Sequence, residues 1–132
     1  MNEAKINCLN ELIESGLNSY ESGLECARRL LSLKNRPTAI FAANDEMAAA
    51  VIRIAQEYKL RIPEDLSVVG FDDSPMTKLI PPPLPTIKQP LDLMGEEAAK
   101  NLINQLEGIS TEEKITLNSE LVIRDSILNI TK

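Results

Sequence analysis

Residues 61–73 read Arg61-Ile62-Pro63-Glu64-Asp65-Leu66-Ser67-Val68-Val69-Gly70-Phe71-Asp72-Asp73. Leu66, Val68, Val69 and Phe71 make a short, nearly continuous apolar run, interrupted by Gly70 and closed by two carboxylates. A run this short, bounded by turn residues and rich in β-branched side chains, predicts a strand buried on both faces, as inside a parallel sheet. Ligands of open α/β sheets bind just beyond the carboxyl ends of the strands. Asp72 and Asp73 are placed at that edge.

The same design occurs upstream. Pro37-Thr-Ala-Ile-Phe-Ala-Ala43 is a second apolar run, and it ends in Asn44-Asp45. Met47, Val51, Ile54 and Tyr58 then recur at helical steps. Strand, polar turn, helix and strand within about 35 residues make a βαβ unit, which turns both polar ends toward one crevice. The fold class is therefore α/β with a mostly parallel sheet.

The remaining elements follow outward. Ile6, Leu9, Ile13 and Leu17 have helical spacing, which predicts a helix at the start of the chain. Asn18-Ser19 offers N-cap chemistry for a helix whose face is Tyr20, Leu24, Ala27 and Leu31. Pro63 halts any helix before the central strand. Ser74-Pro75 predicts a cap with proline at the first helical position, opening a turn or two to Leu79. Ile80-Pro-Pro-Pro-Leu-Pro85 is a stiff extended segment, after which Thr86–Gln89 resumes as a strand. Asp92 is expected to cap a helix with the stripe Met94, Ala98, Leu102 and Leu106, ended by Gly108. Thr116 to Ile127 alternates as one or two strands.

Bulk properties exclude several functions. A chain of 132 residues suits one domain that buries roughly two-thirds of its unfolded surface. Its net charge of −6, with 14 basic residues, repels phosphate backbones, so the chain is not expected to bind nucleic acid by itself. No apolar run approaches the roughly 20 residues of a membrane span, and no signal peptide is legible at the N-terminus. Cys8 and Cys26 lack metal or redox spacing and read as free thiols in a reducing cytosol. With no histidine, any His-based triad, general base or metal site is excluded.

Three blocks together carry a family resemblance: Pro37–Ala48, Ile62–Asp73 and Pro83-Leu-Pro-Thr-Ile-Lys-Gln-Pro90. They resemble the effector-binding part of bacterial lactose/galactose-repressor-type (LacI/GalR) transcription regulators. Glu21–Leu31 is similar to the helix before the first block, and Glu120-Leu-Val-Ile-Arg-Asp-Ser126 to the family's closing strand. The resemblance spans roughly Glu11 to Ser126 and implies a periplasmic-binding-protein-like, flavodoxin-like three-layer lobe, with a short strand near Glu11–Ser15 after an N-terminal helix that ends early. It assigns residues 1–89 and 114–132 to the C-terminal lobe. Residues 90–113 become an element of an N-terminal lobe that is otherwise missing, as is the DNA-binding domain. Thr86–Gln89 is then one of the crossover strands between lobes. Pro85 stands where Thr is usual and Ala50 where Gly is common, which implies a stiffer hinge and a slightly wider helix spacing.

The family implies a cytoplasmic regulator that senses a small molecule, a sugar, and acts as a homodimer, with DNA reached only through the missing domain and no membrane. The pairing surface it implies includes Ala49, Leu79, Ile80 and Pro81. The alternative is a fragment of an extracytoplasmic sugar-binding receptor of the same fold.

Four residues are candidates for the ligand. Asn44 both donates and accepts and Asp72 accepts twice, the mixture that vicinal sugar hydroxyls require. The competing role for Asn44 is a helix cap, which Asp45 could supply instead. Phe41 could offer a ring face to a sugar, although a mid-strand Phe is more often core. Gln89 could reach the cleft from the crossover or simply solvate the hinge. Asp45 suits a helix N-terminus whether or not a ligand exists, and Asp73 is expected to bond the backbone of its own turn. A metal or phosphoryl-transfer site built on Asp45, Asp72 and Asp73 lacks the spacing such chemistry uses. No enzyme activity, catalytic residue, metal or cofactor is expected.

Overall fold

A computed structural model describes residues 9–110 and 114–129. Its centre is a four-stranded sheet in the order β1 (Ala39–Phe41), β2 (Ser67–Phe71), β3 (Thr86–Lys88), β4 (Glu120–Val122). The first three strands are parallel, and β4 runs antiparallel to β3. Helix α1 (Tyr20–Leu31) packs on α2 (Asp45–Glu57), and α2 lies on β2. Helix α3 (Leu91–Leu106) follows β3. The βαβ unit read from the sequence is thus β1-α2-β2, with Ala39 beside Ser67 and Phe41 beside Val69.

Local chemistry explains the helix boundaries. Ser19 and Ser22 form a reciprocal capping box at the start of α1. Asn44 caps α2 by accepting the Met47 N–H at 2.8 Å, and Asp45 and Glu46 lie in the first turn, where the helix dipole favours negative charge. Helix α1 comes close over Ala50 because Gly23 has no side chain there: a Cβ at Gly23 would lie 2.8 Å from the Ala50 Cβ.

One apolar core holds the unit together. Ala27, Leu30 and Leu31 of α1, Val51 and Ile54 of α2, and Ile40, Leu66, Val68 and Leu84 are all buried in it. Burial alternates along the strands: Ile40 and Val68 are inside, Ala39 and Phe41 are exposed, and Ser67, Val69 and Phe71 are half-buried. The central strand is therefore covered on one face rather than two, because successive side chains point to opposite faces and α2 lies on only one of them.

Several local expectations are corrected. Among the described residues no strand forms near Glu11–Ser15; a 3-10 turn spans Asn10–Leu12 and 13–17 runs unpaired by any strand. The readings on Ile6 and Cys8 lie outside the described residues. Cys26 is a buried free thiol. Tyr58 is not on the buried face of α2 but exposed at its C-cap. Ser74-Pro75 opens only the 3-10 turn Pro75–Lys78, without a side-chain cap. Helix α3 starts at Leu91 with Pro90 at its N-cap, two residues earlier than a cap at Asp92 would place it, so Asp92 lies inside its first turn. The strand in 116–127 shrinks to β4, since its partner β3 offers only three residues to pair with.

Helix α3 has no buried residue. Its half-buried positions are polar, Glu97, Asn101 and Asn104, while Leu91, Met94, Leu102 and Leu106 are exposed, Leu106 at 80%. The apolar stripe therefore stays unburied instead of packing on the chain's own sheet.

Candidate functional site

Each parallel strand delivers one of the sequence-predicted polar residues to the same sheet edge. Asn44 follows β1, Asp72 follows β2 and Gln89 follows β3. Between Asn44 and Asp72 opens a cleft of about 320 Å³, lined among others by Asn18, Asn44, Asp45, Glu46, Asp72 and Ser74. Its lining carries carboxylates and amides and no basic side chain.

Asn44 serves the helix as well as the cleft. Its oxygen caps α2, and its Nδ2 donates to the Asn18 carbonyl at 3.0 Å, which leaves one N–H and one lone pair for a ligand. Asp45 does not compete for the cap. It is 1% exposed, and its two oxygens accept from the Thr86 hydroxyl at 2.6 Å and the Ser74 N–H at 2.7 Å.

Asp72 has φ +109 and Asp73 φ +55, two consecutive non-glycine residues in the left-handed half of the map. The Asp72 N–H donates to Ile87 O at 2.8 Å, and its Oδ1 accepts from Gln89 Nε2 at 2.7 Å. Gln89 thus reaches the cleft residue rather than merely solvating the hinge. Asp73 does not bond its own turn. Its Oδ1 accepts from Arg124 Nη2 at 2.6 Å, an ion pair only 11% and 15% exposed, and Arg124 Nη1 donates to the Leu84 carbonyl at 2.7 Å. The Ser74 hydroxyl oxygen is buried without a hydrogen-bond partner, which costs about 1–3 kcal/mol in a dry site.

Phe41 stands apart from this group. It is 64% exposed, so it is not core, and it sets its ring edge-on to Phe71 with centroids 6.4 Å apart. It lines a second, apolar cavity of about 480 Å³ beside α1 and β1, together with Ile13, Cys26 and Met47. The residues read as a pairing surface are open to different degrees. Leu79 is 82% exposed and Pro81 is exposed, Ala49 is half-buried, and Ile80 rests partly on the core.

Thr86 and Arg124 are the site-supporting residues that the sequence reading missed. Arg124-Asp-Ser126 was visible as a family block, but nothing in the spacing linked it to Asp73, 51 residues earlier.

Compared with known proteins, the chain matches the periplasmic binding protein-like domain over residues 1–127. It is 37% identical over 134 residues to the HTH-type transcriptional repressor PurR of Haemophilus influenzae, covering 98% of this chain and 40% of that repressor. Among solved structures it is similar to the transcriptional regulator CelR in complex with cellobiose, with TM-score 0.89 and 35% identity over 95% of this chain and 38% of that one. It is also similar to the lac repressor dimer bound to operator and the anti-inducer ONPF, with TM-score 0.81 and 35% identity over 86% of this chain and 40% of that one. The chain spans about 40% of the length of the curated relatives it matches.

Proposed function

Since this chain belongs to the periplasmic-binding-protein-like domain family and corresponds to the effector-binding region of LacI-family transcriptional regulators, we propose that it forms one side of a cleft for a small polyhydroxylated effector, a sugar. The observation that carries this reading is the convergence of Asn44 and Asp72 on one crevice without a basic side chain in its lining, with Gln89 bonded to Asp72 beside it. Two acceptor oxygens and two amides suit hydroxyl groups, each of which donates and accepts, whereas an anionic effector would meet the carboxylates of Asp72 and Glu46. The neighbour solved with cellobiose supports the sugar class.

In this reading residues 1–89 and 114–132 make the C-terminal lobe, and β3 crosses to α3, an element of the opposite lobe. The uncovered apolar stripe of α3 supports that assignment. Effector binding favours one lobe arrangement over another and so resets the DNA-binding part of a longer regulator, which requires differential affinity for the two arrangements. Such a regulator works in the cytoplasm as a homodimer paired through Ala49, Leu79, Ile80 and Pro81, and it is not an enzyme. No described helix is long and apolar enough to cross a membrane. The names of the relatives favour this reading over an extracytoplasmic receptor.

The test is an effector titration of a full-length regulator that carries this segment. Asp72→Ala is expected to abolish the response to the sugar while operator binding persists. An unchanged titration sinks the proposal. The 132-residue chain alone is expected to leave duplex DNA unbound at low salt, and micromolar retention on a filter would count against it.

A further inference from the structure

The turn that carries Asp72 is held from outside itself. Three successive backbone N–H groups leave it: Asp72 to the Ile87 carbonyl at 2.8 Å, Asp73 to Thr86 Oγ1 at 3.2 Å, and Ser74 to Asp45 Oδ2 at 2.7 Å. The last two are linked, because the Thr86 hydroxyl donates its own proton to Asp45 Oδ1 at 2.6 Å. Thr86 and Asp45 are both buried. Two acceptor oxygens are needed at residue 45, which a carboxylate has and an amide does not. The charge sits at the first residue of α2, where the helix dipole favours it. Gly70 makes the room: a Cβ there would collide with Asp45 Oδ1.

We propose that Asp45 and Thr86 are positioning residues whose buried hydrogen-bonded pair latches the Asp72–Ser74 turn to β3 and so sets the direction in which the Asp72 carboxylate enters the cleft. The left-handed backbone at Asp72 and Asp73 is unfavourable for aspartate on its own, so the turn needs outside bonds to persist. The role assigned to Asp72 rests on the effector reading above; the latch itself is a property of the free chain. Because β3 runs through Gln89 and Pro90 into α3, the latch also makes the turn and the crossover strand move as one body.

The experiment compares the 132-residue chain with Thr86→Val, Thr86→Ser and Asp45→Asn by amide hydrogen exchange and by the side-chain amide resonances of Gln89. Thr86→Val is expected to speed exchange at Asp73 and Ser74 by about tenfold and to move the Gln89 side-chain resonances toward those of a free glutamine, while Ile54 and Val68 keep their protection. Thr86→Ser retains the hydroxyl and restores both readings. Should Thr86→Val not fold, Asp45→Asn decides the matter, since it must give up one of the two bonds and show the same signature at Ser74 or Asp73. Unchanged exchange at these residues, equal loss across the core, or no rescue by Ser would overturn the latch. The two ideas fail separately: an unchanged effector titration of the full-length Asp72→Ala regulator counts against the sugar, while the ligand-free exchange and spectra of the 132-residue chain decide the latch.

Discussion

Gln89 Nε2 donates to Asp72 Oδ1 at 2.7 Å, so the residue after β3 and the residue after β2 are joined at the sheet edge beside the crevice. The bond uses an oxygen that an effector hydroxyl would also seek. It gives the crossover strand a direct hold on the residue that the proposed function places against the ligand.

Asp72 occupies backbone space that glycine tolerates and aspartate resists. Asp72→Gly and Asp72→Ala both remove the carboxylate, but only the first relieves the backbone. The Gly variant is expected to be more stable than the Ala variant by about 1–2 kcal/mol in urea unfolding. Equal stability would show that the turn stores no strain.

Arg124 and Asp73 form an ion pair mostly shielded from water, and Arg124 also holds the Leu84 carbonyl. Arg124→Met strands a carboxylate and a carbonyl together, at an expected cost of about 3 kcal/mol. Asp73→Asn with Arg124→Met should cost less than the sum of the two single changes. Additive losses in that cycle would refute the coupling.

Gly70 lies against the Asp45 carboxylate, and an added Cβ would also come within 3.0 Å of Leu84 Cδ2. Gly70→Ala is expected to destabilise the chain by about 1–3 kcal/mol, and to do so by displacing Asp45 rather than by weakening the strand. Hydrogen exchange at Ser74 should rise in this variant, and protection there equal to wild type would contradict the mechanism.

Acid sensitivity has one local source in the Asp65 carboxyl, which is held well below the usual carboxylate range, first by the Arg61 side chain and next by the Arg61 backbone N–H. Arg61 Nε and Nη2 each donate at 2.8 Å. A native pKa below the unfolded value of about 3.9 means that the contribution is present above roughly pH 4 and is lost as pH falls through the native pKa. Arg61→Gln should move the Asp65 midpoint upward in a carboxyl NMR titration. A midpoint that stays put would place the cause elsewhere.

The outward stripe of α3 predicts association. Burying a Leu or Met side chain contributes about 1.5–3 kcal/mol, and Leu91, Met94, Leu102 and Leu106 are all exposed in the single chain. The 132-residue chain is expected to sediment as a homodimer at micromolar concentration, with α3 in the contact or exchanged between chains. Leu102→Glu with Leu106→Glu should weaken the association measurably, leaving only what the surface at Ala49, Leu79, Ile80 and Pro81 supplies. A wild-type chain that is already monomeric refutes the dimer.

Much of the architecture was readable from residue order because its causes are local. The apolar runs at Pro37–Ala43 and Leu66–Phe71, the helical spacing from Met47, and the polar pairs at Asn44-Asp45 and Asp72-Asp73 all lie within the 37 residues from Pro37 to Asp73 and predict β1-α2-β2 with its crevice. Family blocks extended the reading to β3 and β4. Roles that depend on partners distant in the chain were not readable. Asp45 looked like any acidic residue at a helix start, yet burial against Thr86, 41 residues on, turned it from a cap into a tether. Phe41 had the composition of core, but among the described residues β1 is buried only through Ile40, and Phe41 lies on its opposite, exposed face. Periodicity records which residues share a face; whether anything covers that face, and which carboxylate meets which cation, depends on contacts that exist only once the chain has folded.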